Sequence, residues 1–393
     1  MNRPVRAALI ACGGLCMLAG LDAALLLLGL PAPIRTDRLG QMHGILMVLG
    51  FLGTVISLER SVALRRRWGY LSPAALAVGA LLTLSPAPVL LGQLVLLAGA
   101  VLLVAVYAAL WQRAHDAVVL AQLVGAVLAA VAVAVWIRTD VPTVLVLLSG
   151  FIVVTIAAER VELARLTLPA ASGDLLLAGT AAIGGAGALS LVWPALGGRM
   201  FGVLLAVCAL WLATHDVAVR TIRAHGLPRF AAAAMLGGYA WLVVAACTWV
   251  AAGSAGTGWA YDTVVHAVFL GFAMSMVMAH APVILPSVLR VKLPYHPVLW
   301  LPLLVLHLTL AVRVAGSLAQ APVYRVGAVG TIVAMLLLVL GVVSSSRLPV
   351  PGPDARGRTG TGRTDPRRPA AHEPATTSEP TTIGQQSTAE EAR

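Results

Sequence analysis

Two histidines, His43 and His266, are the side chains best placed in this chain to do chemistry. His43 stands in Gln41-Met42-His43-Gly44-Ile45-Leu46-Met47, and His266 closes Tyr261-Asp262-Thr263-Val264-Val265-His266. Both fall near the start of a long apolar run, where an ionisable group is expensive and marks a functional position by default. Neutral imidazole is a natural ligand for haem iron or copper. Two imidazoles at one depth, on corresponding helices, could clamp a haem between them. Each could instead cap a helix start or bond a neighbouring carbonyl.

Other polar groups in apolar surroundings carry weaker signals. His280 follows His266 by 14 residues, about 21 Å along one helix, so the two cannot share a metal. With Glu59, Arg60, Glu159 and Arg160 it forms a candidate polar cluster. An ion-paired ring explains that cluster better than a proton path does. Met274, Met276 and Met278 precede His280, and thioether with imidazole suits Cu(I). Their alternate spacing spreads them round a helix, which favours packing. His307 lies within an apolar run as a third ligand or a hydrogen-bonding partner. Arg313 could meet an anionic group such as a haem propionate, or reach toward the interface. His115-Asp116 and His215-Asp216 sit at run ends, where capping or an Asp–His bond is expected. Cys12, Cys16, Cys208 and Cys247 form no CxxC pair and read as small packing residues.

The elements that must hold these groups are membrane helices. Of 393 residues, 59% are hydrophobic and 11% charged, and the mean hydropathy is +0.91. The apolar runs are about 20 residues long without strict alternation, the signature of spanning helices. Twelve spans are expected: 7–30, 41–63, 71–86, 89–111, 117–137, 142–163, 175–193, 200–219, 230–252, 261–284, 297–313 and 323–343, the third being the shortest. The first is too long for a cleaved leader. Residues 347–393 are rich in Pro, Thr, Ser, Gly, Arg and Glu and read as a disordered tail. The formal charge of +11 lies between apolar runs, which argues against nucleic-acid binding. Fifteen basic residues fall on the side of the N-terminus, among them Arg65, Arg66, Arg67, Arg290, Lys292 and Arg347, against six on the other. The positive-inside bias predicts a plasma-membrane protein with both termini cytoplasmic.

Self-comparison reveals a repeat. Gly50-Phe51 recurs as Gly150-Phe151 and Gly271-Phe272. Six residues after each glycine stand Ile56, Ile156 and Val277; nine residues after stand Glu59, Glu159 and His280. Leu110-Trp111 with His115-Asp116 returns as Leu210-Trp211 with His215-Asp216. The fold expected is an all-α, pseudo-threefold array of three four-helix blocks, about 1–115, 116–226 and 227–346. His43 precedes its glycine by seven residues and His266 by five, so the two are not repeat-equivalent; about 200° of helix rotation separates the registers.

Twelve helices in three arcs with a histidine at the start of spans 2 and 10 resemble the catalytic subunit of haem–copper oxidases. The likeness is closer to NnrS-type membrane proteins, small relatives of similar length linked to nitric oxide metabolism and described as containing haem and copper. The segment His43-Gly44-Ile45-Leu46-Met47-Val48-Leu49-Gly50-Phe51 resembles the span-2 haem-ligand region, and His266 to His280 resembles span 10. The resemblance implies a low-spin haem b with His43 and His266 as axial ligands, and Arg313 near its propionates. Oxidases also carry a copper-ligating histidine in span 6, a pair in span 7 and a His-x-His in span 10. Here spans 6 and 7 have no histidine, and Val264 takes the first His-x-His position. Oxygen reduction by that mechanism is therefore not expected, and copper has little support.

The function expected is a haem-binding membrane protein serving electron transfer or a nitric oxide response, with a redox partner protein or quinol. The rivals are a twelve-helix transporter and a non-catalytic assembly partner. Nucleotide-binding glycine motifs, HExxH and a Ser/His/Asp arrangement are absent from the sequence.

Overall fold

In the computed structural model, the residues described are 3–36, 38–165, 168–169, 171–289 and 295–345, and among them every regular element is helical. Eleven helices are long and apolar enough to cross a membrane: α1 (Arg3–Leu27), α2 (Leu39–Leu64), α4 (Val89–Ala114), α5 (Ala117–Trp136), α6 (Pro142–Leu163), α7 (Ser172–Val192), α8 (Pro194–His215), α9 (Leu227–Ala252), α10 (Gly258–Ile284), α11 (Pro297–Leu318) and α12 (Val323–Ser345). The protein is thus an all-α multi-pass membrane protein. The expected third span is a shorter helix than its neighbours, α3 (Leu71–Leu82) of 12 residues, yet it returns the chain from the Leu64 end of α2 to the Arg38 end, where Arg38 donates to the Ser85 and Ala87 carbonyls at 2.7 and 2.6 Å. The helix itself is about 18 Å long, so the tight turn Arg67–Tyr70 before it and residues 83–85 after it complete the crossing. Pro86 and Pro88, which have no backbone N–H, end it. The expected tail, 347–393, and the basic residues Arg290, Lys292 and Arg347 lie outside the described residues.

Helix neighbours recur with a period of four. In the first block α1 packs on α2 and α3, α2 on α3 and α4, and α3 on α4. The second block repeats all five pairings with α5–α8, and the third repeats four of them with α9–α12. The blocks meet where α4 touches α5, α8 touches α9 and α12 touches α1, which closes the ring.

The second helix of each block forms the centre. The apolar windows of α2, α6 and α10 are 78%, 94% and 67% buried, against 28–50% for the other eight spanning helices, whose remaining surface is left for lipid. The repeated glycines explain how the centre closes. A Cβ on Gly50 would stand 2.8 Å from the Ala80 side chain and 2.9 Å from that of Cys16; one on Gly271 would stand 2.4 Å from the Trp241 ring. Each glycine thus lets a flanking helix of its own block approach the inner helix closely.

Two of the inner helices are not α-helical throughout. Leu46–Gly53 of α2 and Ala267–Met274 of α10 are π-helical. Each π segment starts four residues before its repeated glycine and lies just beyond its histidine. The matching stretch of α6, which has no histidine, is ordinary α-helix.

Candidate functional site

The π segments bring His43 and His266 to one cavity of about 340 Å³, within the range of small-molecule sites. It is walled by α1, α2, α10 and α12, with Arg313 of α11 and with Val141, Leu145 and Leu148 at the start of α6. Equivalent positions on the three blocks line it, Val48 with Leu148 and Phe269, and Gln41 with Val141 and Asp262, while the two histidines stand at non-equivalent ones.

Both imidazoles are held in the same tautomer. His43 Nδ1 is 2.8 Å from the Gly20 carbonyl and His266 Nδ1 is 2.7 Å from the Asp262 carbonyl. A carbonyl only accepts, so each Nδ1 carries the proton and each Nε2 keeps its lone pair. Among the described residues neither Nε2 has a hydrogen-bond partner. Carbonyl bonding and ligation, which look like alternatives in the sequence, are compatible here: the first prepares the second. The Asp262 carboxylate adds a contact of 3.2 Å to His266 Nδ1.

Arg313 lines the same cavity but is already engaged. Its Nε and one terminal nitrogen donate to the two Asp262 oxygens at 3.2 and 2.7 Å, and that nitrogen also lies 3.1 Å from the Tyr324 hydroxyl. Asp262 therefore takes most of the charge that was reserved for an anionic ligand, while the second terminal nitrogen has no partner among the described residues. Sequence reasoning missed Asp262 and Tyr324 as parts of this site. The spacing of Asp262 and His266, one helical turn, was the available signal for the former.

His307 does not line this cavity. Trp241 Nε1 donates to its Nδ1 at 2.8 Å, and Ser275 Oγ is 3.5 Å from its Nε2. It joins α9, α10 and α11 as a hydrogen-bonding partner. Met274, Met276 and Met278 are buried, and no group of three or more His, Cys, Asp or Glu among the described residues is placed to hold a metal ion.

At the other end of the inner helices the charged residues converge. Arg160 donates two bonds to Asp216, at 2.8 and 2.9 Å, and a third to His280 Nε2 at 3.0 Å. Asp216 also accepts from the Tyr239 hydroxyl at 2.6 Å and the Ala218 amide at 2.8 Å. Arg60 reaches Glu59 at 3.4 Å, Glu159 at 4.0 Å and Glu162 at 3.3 Å. These contacts link all three blocks. Burial raises the Asp216 pKa, but the bonds from Arg160 and Tyr239 outweigh it and hold the carboxyl below its ordinary value. Asp216 and Glu162 were missing from the cluster predicted from sequence. Asp116 also caps, accepting from the Val118 amide, and pairs with Arg165.

Above this ring lies a second cavity, of about 270 Å³. Leu52, Ile152 and Ala273 line it, then Ile56, Ile156 and Val277, then Glu59, Glu159 and His280. These are positions two, six and nine after the repeated glycines, so the cavity meets the pseudo-threefold axis, and α1 and α12 close its side with Met17, Leu338 and Val342 among others. Leu52 also lines the histidine cavity, so the two cavities share a wall.

The model of a family described as Domain of unknown function (DUF8744) matches residues 6–347, nearly the whole helical region. No curated protein and no solved structure matches the chain.

Proposed function

The chain belongs to the DUF8744 family, and from its geometry we propose that it is a haem-binding membrane protein, with His43 and His266 as the two axial ligands. The observation that carries this reading is the pair of imidazoles lining one cavity, each with Nδ1 committed to a carbonyl and Nε2 free. The donor set fits a low-spin haem b: two neutral nitrogens, mainly apolar walls, and a guanidinium with one nitrogen to spare. Copper has a poorer fit, since no three-ligand group is formed among the described residues. A haem held on both faces would supply one-electron chemistry and leave no open iron position. That suits electron transfer or a nitric oxide-related response, not oxygen reduction, with a redox protein or quinol as the partner. Asp262 and the Gly20 carbonyl would orient the two rings, and Asp262 would keep Arg313 beside the cavity. The positive-inside bias places the histidine end at the outer face of the plasma membrane, and the Arg160 end and both termini in the cytoplasm.

The test is the visible spectrum of protein purified from haem-sufficient cells, oxidised and dithionite-reduced. The wild type should show the sharp reduced α-band of a bis-histidine b haem. His43→Ala and His266→Ala should each lose it. A colourless wild type would remove this reading. The two cavities that share Leu52 along one bundle would then favour a transporter.

A further inference from the structure

The cavity on the pseudo-threefold axis is used by nothing proposed above. Its walls are apolar over two full layers, and its far end is a ring of hydrogen-bond acceptors. His280 cannot serve as a free acceptor, because Arg160 already donates to its Nε2. The glutamates can. Glu59 receives one bond, from Arg60 at 3.4 Å, through Oε1. Its Oε2 and both oxygens of Glu159 accept none among the described residues. Their side chains are 28% and 18% exposed, so they are neither sealed in the protein nor fully hydrated. Carboxylate oxygens facing an apolar space are costly unless a donor reaches them.

We propose that this cavity binds a neutral amphiphile with a hydroxyl head on an apolar body, of the phenol class. The head donates to Glu59 and Glu159, and the body lies between Ile56, Ile156 and Val277. A purely apolar guest would leave Glu59 Oε2 and both Glu159 oxygens without donors. A fixed cation would have to shed its hydration among the apolar layers, and Arg60 and Arg160 already stand behind the ring. The site sits about 24 Å along α2 from His43 and does not depend on haem.

The probe is radiolabelled 4-decylphenol, titrated against the full chain in lipid nanodiscs with empty nanodiscs as the blank. Saturable binding is expected in excess of the blank. Decylbenzene, which has no hydroxyl, should compete about tenfold or more weakly, the loss of a bond to a charged acceptor. Val277→Phe should abolish binding by filling the cavity, and Glu159→Leu should weaken it about tenfold. Should either variant fail to fold, a diazirine-bearing decylphenol on the wild type gives an independent answer: its crosslinks should map to α2, α6 and α10 beside the acidic ring and to the cavity-facing residues of α1 and α12. No saturable binding, equal competition by decylbenzene, tighter binding of decyltrimethylammonium, or crosslinks confined to lipid-facing surfaces would each overturn the proposal. The outcome is independent of the haem spectrum, so the two readings fail separately.

Discussion

The two ends of the inner helices use the same scaffold in opposite ways. At the Arg160 end, the polar groups Glu59, Glu159 and His280 stand at repeat-equivalent positions and line one cavity. At the histidine end the cavity also takes repeat-equivalent residues, Val48, Leu148 and Phe269, but its two histidines stand at non-equivalent positions on α2 and α10, and the second block contributes no ligand. The symmetric end is tied by ion pairs that link all three blocks. At the asymmetric end the ion pair of Arg313 with Asp262 stays within the third block, and both histidines keep an Nε2 without a partner among the described residues. Holding the fold is thus assigned to what the blocks share, and chemistry to where they differ.

The strongest way to break this contrast is to remove a tie. Asp216 has a fully buried side chain, and Asp216→Ala strands Arg160. Losing one partner of a buried pair costs about 3–5 kcal/mol. Thermal unfolding in detergent should show the largest drop for this variant; an unchanged melting temperature would mean that the ring is not a tie. Next come the repeated glycines. Gly271→Val drives a branched side chain into Trp241 and should cost about 1–3 kcal/mol, whereas Gly185→Ala, which meets nothing within 4 Å, should stay within about 1 kcal/mol of wild type.

Smaller stability effects are expected at the other end. His43→Ala and His266→Ala each remove a carbonyl bond, a loss of about 0.5–1.5 kcal/mol in ligand-free protein. If they unfold the protein as readily as Asp216→Ala does, the histidines belong to the scaffold and the contrast fails. The mildest effect is that of pH. The folded-state pKa of Asp216 lies below its ordinary 3.8. Its stabilisation is therefore fully present above that value and fades as pH falls through and below it. Melting temperatures measured downward from pH 5 should decline in the wild type and less steeply in Asp216→Asn.

Much of the scaffold was legible because the repeat leaves marks at fixed offsets. Gly50, Gly150 and Gly271 announce close helix approach, and the positions six and nine residues later share one cavity. Their partners on the flanking helices were not legible. Gly13, Gly125 and Gly238 each pack near the fourth or fifth residue after a repeated glycine, but at sequence distances of 37, 25 and 33, so no register reveals them. The ion partners were hidden for a related reason. Asp216 lies 56 residues from Arg160, and only the return of α8 brings them together. The site was half legible. Intramembrane histidines flag themselves by their cost, whereas their shared cavity depends on a local change of helix type that composition does not betray.

That change has a consequence for how such a protein can be altered. A π-helical stretch accommodates an extra residue within an α-helix. Deleting one residue from Leu46–Gly53 would let the segment relax toward α-helix and turn everything before it by about 100° relative to everything after it. His43 would swing off the cavity while Gly50, Ile56 and Glu59 kept their places on the axis. The same edit in Ala267–Met274 would re-aim His266 together with Asp262. Each segment therefore works as a rotary joint between the ligand-bearing tip of a helix and its structural stem, and a single insertion or deletion can retarget one without dismantling the other.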